Sequence, residues 1–241
     1  MSVSPPKRAL ITGASRGIGK ATALTLAAAG IDVALVGRST QQLAEVAGAA
    51  QAHGVKAASY TLDLAKVEQV RDQISQILDA FGPVDILINN AGMGYTGSVM
   101  DTTLKDWQQV IDLNLTSTFQ CIQAVLPSLR SQGEGQIINI VSIAGLQVFP
   151  DWGLYCVSKF GLLALSKTIA MEERANGIRV TAICPGSVNT PMWDTDTVHA
   201  DFDRSKMLTP EQVAQSILHT IEMPASAVIE ELILMPNSGT F

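Results

Sequence analysis

Thr12-Gly13-Ala14-Ser15-Arg16-Gly17-Ile18-Gly19 is the stretch on which the fold turns. It follows an apolar run, Ala9–Thr12, and leads into an amphipathic segment, 17–29. Glycines spaced G-x-x-x-G-x-G let a chain leave a strand by a tight turn and bring its backbone close to a ligand. The next helix presents free N–H groups and the positive end of its dipole, which suit the pyrophosphate of a dinucleotide. A plain strand-to-helix turn would also account for the glycines, so the surrounding pattern has to decide.

That pattern repeats outward along the chain. Strand-like runs occur at Ala9–Thr12, Val33–Val36, Ala57–Thr61, Ile86–Asn89, Ile137–Val141, Val180–Cys184 and Ile229–Leu234. Most are apolar without alternation, as in strands buried on both faces. Amphipathic segments lie between them, near 17–29, 40–52, 66–80, 104–130, 157–175 and 210–221. Strand and helix in strict alternation imply right-handed βαβ units and an α/β fold, a doubly wound parallel sheet covered on both faces. The 241 residues are expected to form one domain, 1–241.

Composition removes several function classes. With 47% hydrophobic and 16% charged residues, the chain can build a large core and lacks the signature of disorder. The 16 Lys+Arg against 22 Asp+Glu give a net charge of −6, which argues against a dedicated nucleic-acid binder. Cys121, Cys156 and Cys184 are scattered, so neither a disulfide framework nor a metal site is expected. Residues 1–8 show no apolar signal region. The stretch Leu24–Val36 is broken by Gly30 and Asp32 and is too short to span a bilayer. A cytoplasmic protein without membrane or nucleic-acid partners is the expectation.

The second strand ends at Val36-Gly37-Arg38-Ser39, with no acidic residue between Val33 and Gln42. NAD sites usually carry an acid there for the ribose 2′-hydroxyl. Arg38, with Arg16 from the glycine loop, offers guanidinium donors to a 2′-phosphate instead, which favours NADP(H). Two ordinary surface arginines would look the same in sequence.

Further along, the fourth strand ends in Asn89-Asn90-Ala91-Gly92 and the fifth at Val141-Ser142, and Tyr155 and Lys159 stand four apart on a helical segment. Four apart is one helix face. A phenol can hand a proton to a carbonyl oxygen, but its ordinary pKa is about 10. A neighbouring ammonium and an oxidised nicotinamide ring would bring it down.

At these residues the sequence resembles the classical short-chain dehydrogenase/reductase family, over essentially its whole length. The resemblance rests on Thr12–Gly19, Asp63, Asn89–Gly92, Asn114, Ser142, Tyr155, Lys159 and Pro185-Gly186 with Thr190, in the family's order and spacing. It implies a Rossmann-type domain with a seven-stranded parallel sheet flanked by helices, assembled as a homotetramer or homodimer. It implies Tyr155 as general acid in reduction, Ser142 as the group orienting the substrate oxygen, and Lys159 as holder of the ribose and tuner of Tyr155. Asn114 would support a water in a proton relay. The cofactor would be held by Gly13, Ser15, Arg16, Gly17, Ile18 and Gly19, and by Arg38, Asp63 and Leu64. It would also meet Asn90, Ala91 and Gly92, then Pro185, Gly186, Val188 and Thr190, beside Tyr155 and Lys159.

For the substrate, expected pocket walls are Gly94, Tyr95, Ala144, Gln147, Phe149, Trp152, Met192, Trp193 and Phe202. They are mostly apolar and include no arginine for a carboxylate, which suits a ketone with a hydrophobic arm. The patternless segment 187–208 is the expected lid. One branch of the family reduces 3-oxoacyl chains on acyl carrier protein. This chain departs from it in offsetting Arg130 with Glu134 and Arg174 with Glu172 and Glu173, and in ending Ile229–Pro236 without that branch's V-D-G-G. An NADPH-dependent reductase of a small-molecule carbonyl is thus the first expectation, a carrier-dependent 3-oxoacyl reductase the second, and a non-catalytic NADPH sensor the third.

Overall fold

In the computed structural model, which describes residues 6–239, every apolar run becomes a strand and all seven strands run parallel. The chain order is β1 (Arg8–Thr12), α1 (Gly17–Ala28), β2 (Asp32–Gly37), α2 (Thr40–Gln51), β3 (Ala57–Thr61), α3 (Val67–Phe81) and β4 (Ile86–Asn89). It continues with α4 (Leu104–Ile111), α5 (Ser117–Gln132), β5 (Gly135–Ile140), α6 (Gly153–Glu173), β6 (Ile178–Pro185), α7 (Pro210–Glu222) and β7 (Glu231–Leu234). The sheet order is β3-β2-β1-β4-β5-β6-β7. The chain winds outward from β1 and then returns to its other side, so a crevice opens between the ends of β1 and β4, where such folds bind ligands.

Residues of one strand serve two cores. Ala9 and Ile11 pack with Leu26, Leu43, Val213 and Ile217 on the side of α1, α2 and α7. Leu10, between them, packs with Ile74, Ile122, Val125 and Leu129 on the side of α3 and α5. Burial on both faces is why β1 and β2 read as unbroken apolar runs. Leu87 is fully buried, and its truncation to Ala would cost about 2–5 kcal/mol.

Three segments differ from the sequence expectation. The helix expected over 104–130 is α4 and α5 joined by one π-helical turn, Asp112–Thr116. A single widened turn shifts the phase of the apolar stripe once, by about 100°, too local a change to stand out from ordinary irregularity in the pattern. Helix α6 begins at Gly153, which places Tyr155 in its first turn. It is also long and apolar enough to cross a membrane by length and composition, but half of it is buried within this fold. The segment 187–208 contains two short 3-10 turns, Pro191–Asp194 and Arg204–Lys206, too brief to leave a periodic signal. Val188 bridges Leu208, closing the base of the excursion. The Trp193 indole N–H donates to Val188 O at 2.8 Å, and Arg204 donates to Asn189 Oδ1 at 2.9 Å and to Thr190 O at 3.0 Å.

Candidate active site

The glycine loop is shaped by backbone sterics. Gly13 and Gly17 lie in the left-handed region, at φ +64° and +54°. A Cβ on Gly19 would stand 2.3 Å from Gly13 O and 2.5 Å from Asn90 Nδ2, so this position holds α1 tight against the loop. Gly19 does not itself face the ligand cavity. Asn90 splints the loop to β4: its amide donates to Thr12 O at 3.0 Å and Gly13 O at 3.1 Å. Asn90 also lines the ligand cavity. Thr12 Oγ1 accepts from the N–H groups of Asn90 and Ala91, completing the splint.

One cavity of about 890 Å³ runs from this loop across the strand ends. At its first end stand Ser15, Arg16, Gly17, Ile18 and Arg38, with Asp63 and Leu64 beyond β3. Arg16 and Arg38 make no ion pair among the described residues, so both guanidinium groups are available to an anion. Asp63 Oδ1 accepts from Ala65 N at 3.2 Å, which fixes the turn after β3. Ala91, Gly92, Pro185, Gly186, Val188 and Thr190 line the middle. A Cβ on Gly17 would meet Thr190 Cγ2 at 3.3 Å across this wall, so glycine keeps the passage open. The buried Ser187 Oγ, also lining it, has no hydrogen-bond partner. Length, glycine cradle, unpaired guanidinium groups and an orphaned hydroxyl together fit an extended dinucleotide with phosphate groups.

Ser142, Tyr155 and Lys159 meet in the centre of the same cavity. The Ser142 hydroxyl accepts from Ala144 N at 3.1 Å, anchoring it at the end of β5, and its hydrogen bond with Tyr155 favours the phenolate. Burial dominates, however, and pushes the phenol up to about 12. The sequence reading expected Tyr155 to be lowered. In the ligand-free protein the direction is the reverse, because burial penalises the phenolate. Burial also pulls Lys159 down to about 8, and its ammonium donates to Ile140 O at 3.0 Å. Its ammonium lies 5.6 Å from the centre of the Tyr155 ring.

Asn114 stands behind the cavity. It occupies the π turn, fully buried, where its Oδ1 accepts from Met93 N at 2.8 Å and its Nδ2 donates to Met93 O at 3.0 Å and Ser158 Oγ at 3.0 Å. Three of the amide's four hydrogen-bonding positions are taken by protein partners. It fixes the loop after β4 against α6, one residue from Lys159.

At the far end, Gly94, Ala144, Phe149, Trp152, Met192, Trp193 and Phe202 line the cavity as expected. Tyr95 and Gln147 do not. The Tyr95 hydroxyl turns to Asp106 Oδ2 at 3.4 Å, its ring packs beside Gly97, and the Gln147 carbonyl accepts from Cys156 Sγ at 4.0 Å. Sequence reasoning missed Gln109 of α4, Asp196 and Met235, which also line it. Only the folding of distant segments onto the strand ends brings these three in, so no local spacing marks them.

The model of the short chain dehydrogenase family matches residues 7–200. The chain belongs to that family. It is similar to a 3-oxoacyl-acyl-carrier-protein reductase of Synechocystis, with 38% identity over 227 residues covering 92% of this chain and 91% of that one. Among solved structures it resembles an alcohol dehydrogenase from the archaeon Thermococcus sibiricus complexed with 5-hydroxy-NADP, at TM-score 0.88 and 30% identity over 97% of both chains. It also resembles an actinorhodin polyketide ketoreductase with NADPH, at TM-score 0.88 and 30% identity over the full length of both. By family it is an oxidoreductase.

Proposed function

We propose that this short chain dehydrogenase reduces a small-molecule ketone to a secondary alcohol with NADPH. The observation that carries the reading is the convergence of Ser142, Tyr155 and Lys159 in one cavity with the glycine loop, Arg16 and Arg38. NADP-bound and NADPH-bound structural relatives support the same cofactor. Arg16 and Arg38 hold the 2′-phosphate, the α1 N-terminus the pyrophosphate, Asp63 and Leu64 the adenine, and Val188 and Thr190 the carboxamide end. When bound, NADPH supplies the hydride for the carbonyl carbon.

The protein's own part is to place and move the proton. At neutral pH the buried Tyr155 phenol is fully protonated, as an acid for reduction must be. Ser142 holds the carbonyl oxygen, Tyr155 donates to it, and the Lys159 ammonium stabilises the phenolate that remains. Asn114 acts as a positioning residue through Met93 and Ser158. The segment 187–208 serves as lid over the reacting carbonyl. Exposed Leu104, Trp107 and Phe119 on α4 and α5, with Val157, Phe160 and Met171 on α6, support a homo-oligomer formed through these helices.

The test is NADPH oxidation with a panel of activated ketones, free and carrier-linked. Reduction of free ketones with strong preference for NADPH is expected, and Arg38→Asp should remove about 1.5–3 kcal/mol of that preference. No turnover of any carbonyl, or equal kcat/KM with NADH, would overturn the reading. Carrier-linked substrates alone being reduced would favour the activity named for the Synechocystis relative.

A further inference from the structure

The substrate end of the cavity has an unusual pairing of chemistry. Its rings form a continuous edge-to-face series that starts at the proton donor. Trp152 lies 5.5 Å from Tyr155, Trp193 lies 5.8 Å from Trp152, and Phe202 lies 5.4 Å from Trp193, centroid to centroid. Phe149 packs against the same cluster from the loop before α6. Each edge-to-face contact sets the positive edge of one ring against the negative face of the next.

Asp196 lines the same cavity. Its backbone is pinned from both sides across the mouth. Thr197 Oγ1 donates to Gly94 O at 2.8 Å, Thr96 N donates to Thr197 O at 2.9 Å, and Thr195 Oγ1 donates to Met192 O at 2.8 Å. Its neighbour Asp194 is neutralised by Arg204 at 2.5 Å. Asp196 has no such partner among the described residues. The arginines of the cavity, Arg16 and Arg38, stand at the opposite end beside the glycine loop.

An exposed, unpaired carboxylate on a cavity whose walls are largely aromatic is complementary to one kind of ligand. An anionic arm would meet repulsion with no guanidinium to receive it, and a neutral arm would leave the carboxylate unused. A tertiary or quaternary ammonium group is attracted by both the rings and the carboxylate. We infer that the ketone reduced here carries a cationic ammonium substituent, held by Trp152, Trp193, Phe202 and Phe149 with Asp196 at the mouth. This rests on the carbonyl-reductase reading and names its substrate class.

The test compares two ketones of equal shape with NADPH and the full-length enzyme: acetonyltrimethylammonium, and methyl neopentyl ketone, in which carbon replaces the charged nitrogen. Because an ammonium group also activates the carbonyl, the deciding quantity is how the ratio of their kcat/KM values changes on substitution. Asp196→Asn and Phe202→Leu should each lower the cationic-to-neutral ratio by about tenfold, and added salt should lower it in the parent enzyme. A ratio unmoved by both substitutions overturns the proposal, as does a better rate with a carboxylate-bearing ketone. Calorimetry with tetramethylammonium on the NADP-loaded protein separates the two readings. Binding of tetramethylammonium that weakens in Asp196→Asn, without turnover of any ketone, would keep the cation site and remove the reductase. Turnover of ketones with no tetramethylammonium binding would keep the reductase and remove the cation site.

Discussion

The two ends of the cavity are built by different means. At the glycine loop, backbone meets backbone: Gly19 against Gly13 O, Gly13 against Ala91, and Asn90 bonded to loop carbonyls. At the aromatic end, side chains meet side chains on connecting loops, and Gly94 faces Val198 Cγ2 and the Met192 side chain. Backbone cannot repack, so the first end accepts one ligand shape. Side chains can change rotamer, so the second end is where a fold of this kind varies its substrate. Tyr155 stands between the two, in the first turn of α6.

Replacing Tyr155 gives the largest expected effect. Tyr155→Phe removes the proton donor and leaves the glycine loop untouched, so turnover should fall by about 10²–10⁴-fold. NADPH affinity, read by fluorescence titration, should change little. Near-normal turnover would break the division between holding the cofactor and doing the chemistry.

Lys159 sharpens the same division through pH. Burial holds its amine at about 8, below the ordinary 10.5. Between those values the ligand-free folded protein binds fewer protons than the unfolded chain, so its stability should rise as pH climbs through that window. Tyr155, raised to about 12 from 10.0, works the other way at higher pH, and its contribution is lost as pH passes its folded value. Lys159→Met should abolish the rise and stabilise the ligand-free protein at neutral pH by up to about 3 kcal/mol, while catalysis collapses. Urea unfolding across the window checks both. A variant less stable than the parent at neutral pH would mean that the bond to Ile140 O outweighs desolvation.

The glycines test the comparison directly. Gly19→Ala must displace backbone, at a cost of about 1–3 kcal/mol, and NADPH affinity should fall with it. Gly94→Ala meets only side-chain atoms, at 2.7 Å from Val198 Cγ2 and 3.4 Å from Met192 Sδ, and should cost about 1 kcal/mol or less. Equal losses in thermal unfolding for the two would show that the aromatic end is as rigid as the glycine loop.

This contrast also explains what could be read from the chain alone. The glycine loop, Arg38 and the Tyr155–Lys159 pair depend on neighbours within a turn or two, so spacing exposes them. The sheet is legible because double-sided burial removes polar alternation from β1, β2 and β4. Asn114 could be placed in a helix, but its π turn and its bonds to Met93 and Ser158 could not be foreseen, because one inserted residue is a single, local phase shift and the partners are distant in sequence. Asp196 was invisible for another reason. Its place follows from Thr197 meeting Gly94, 103 positions earlier, and no local pattern encodes that encounter. Tyr95 failed as a pocket wall in the same way, drawn aside to Asp106.

Removing Trp193 asks how far the aromatic end can yield. Its ring bridges Trp152 and Phe202, and its indole N–H holds Val188 O at 2.8 Å, at the base of the 187–208 segment. Trp193→Ala loses two edge-to-face contacts, worth about 0.5–1.5 kcal/mol each. The lost contacts face the substrate end, so KM should rise roughly threefold to tenfold for bulky ketones and less for small ones. NADPH affinity should stay nearly constant, since Gly13, Arg16 and Arg38 lie at the other end of the cavity. The indole bond to Val188 gives the experiment a second reading. If it transmits order to the middle of the cavity, NADPH affinity will fall together with ketone affinity. The two ends would then be coupled through this segment, and hydrogen exchange across 187–208 would slow on adding NADPH alone.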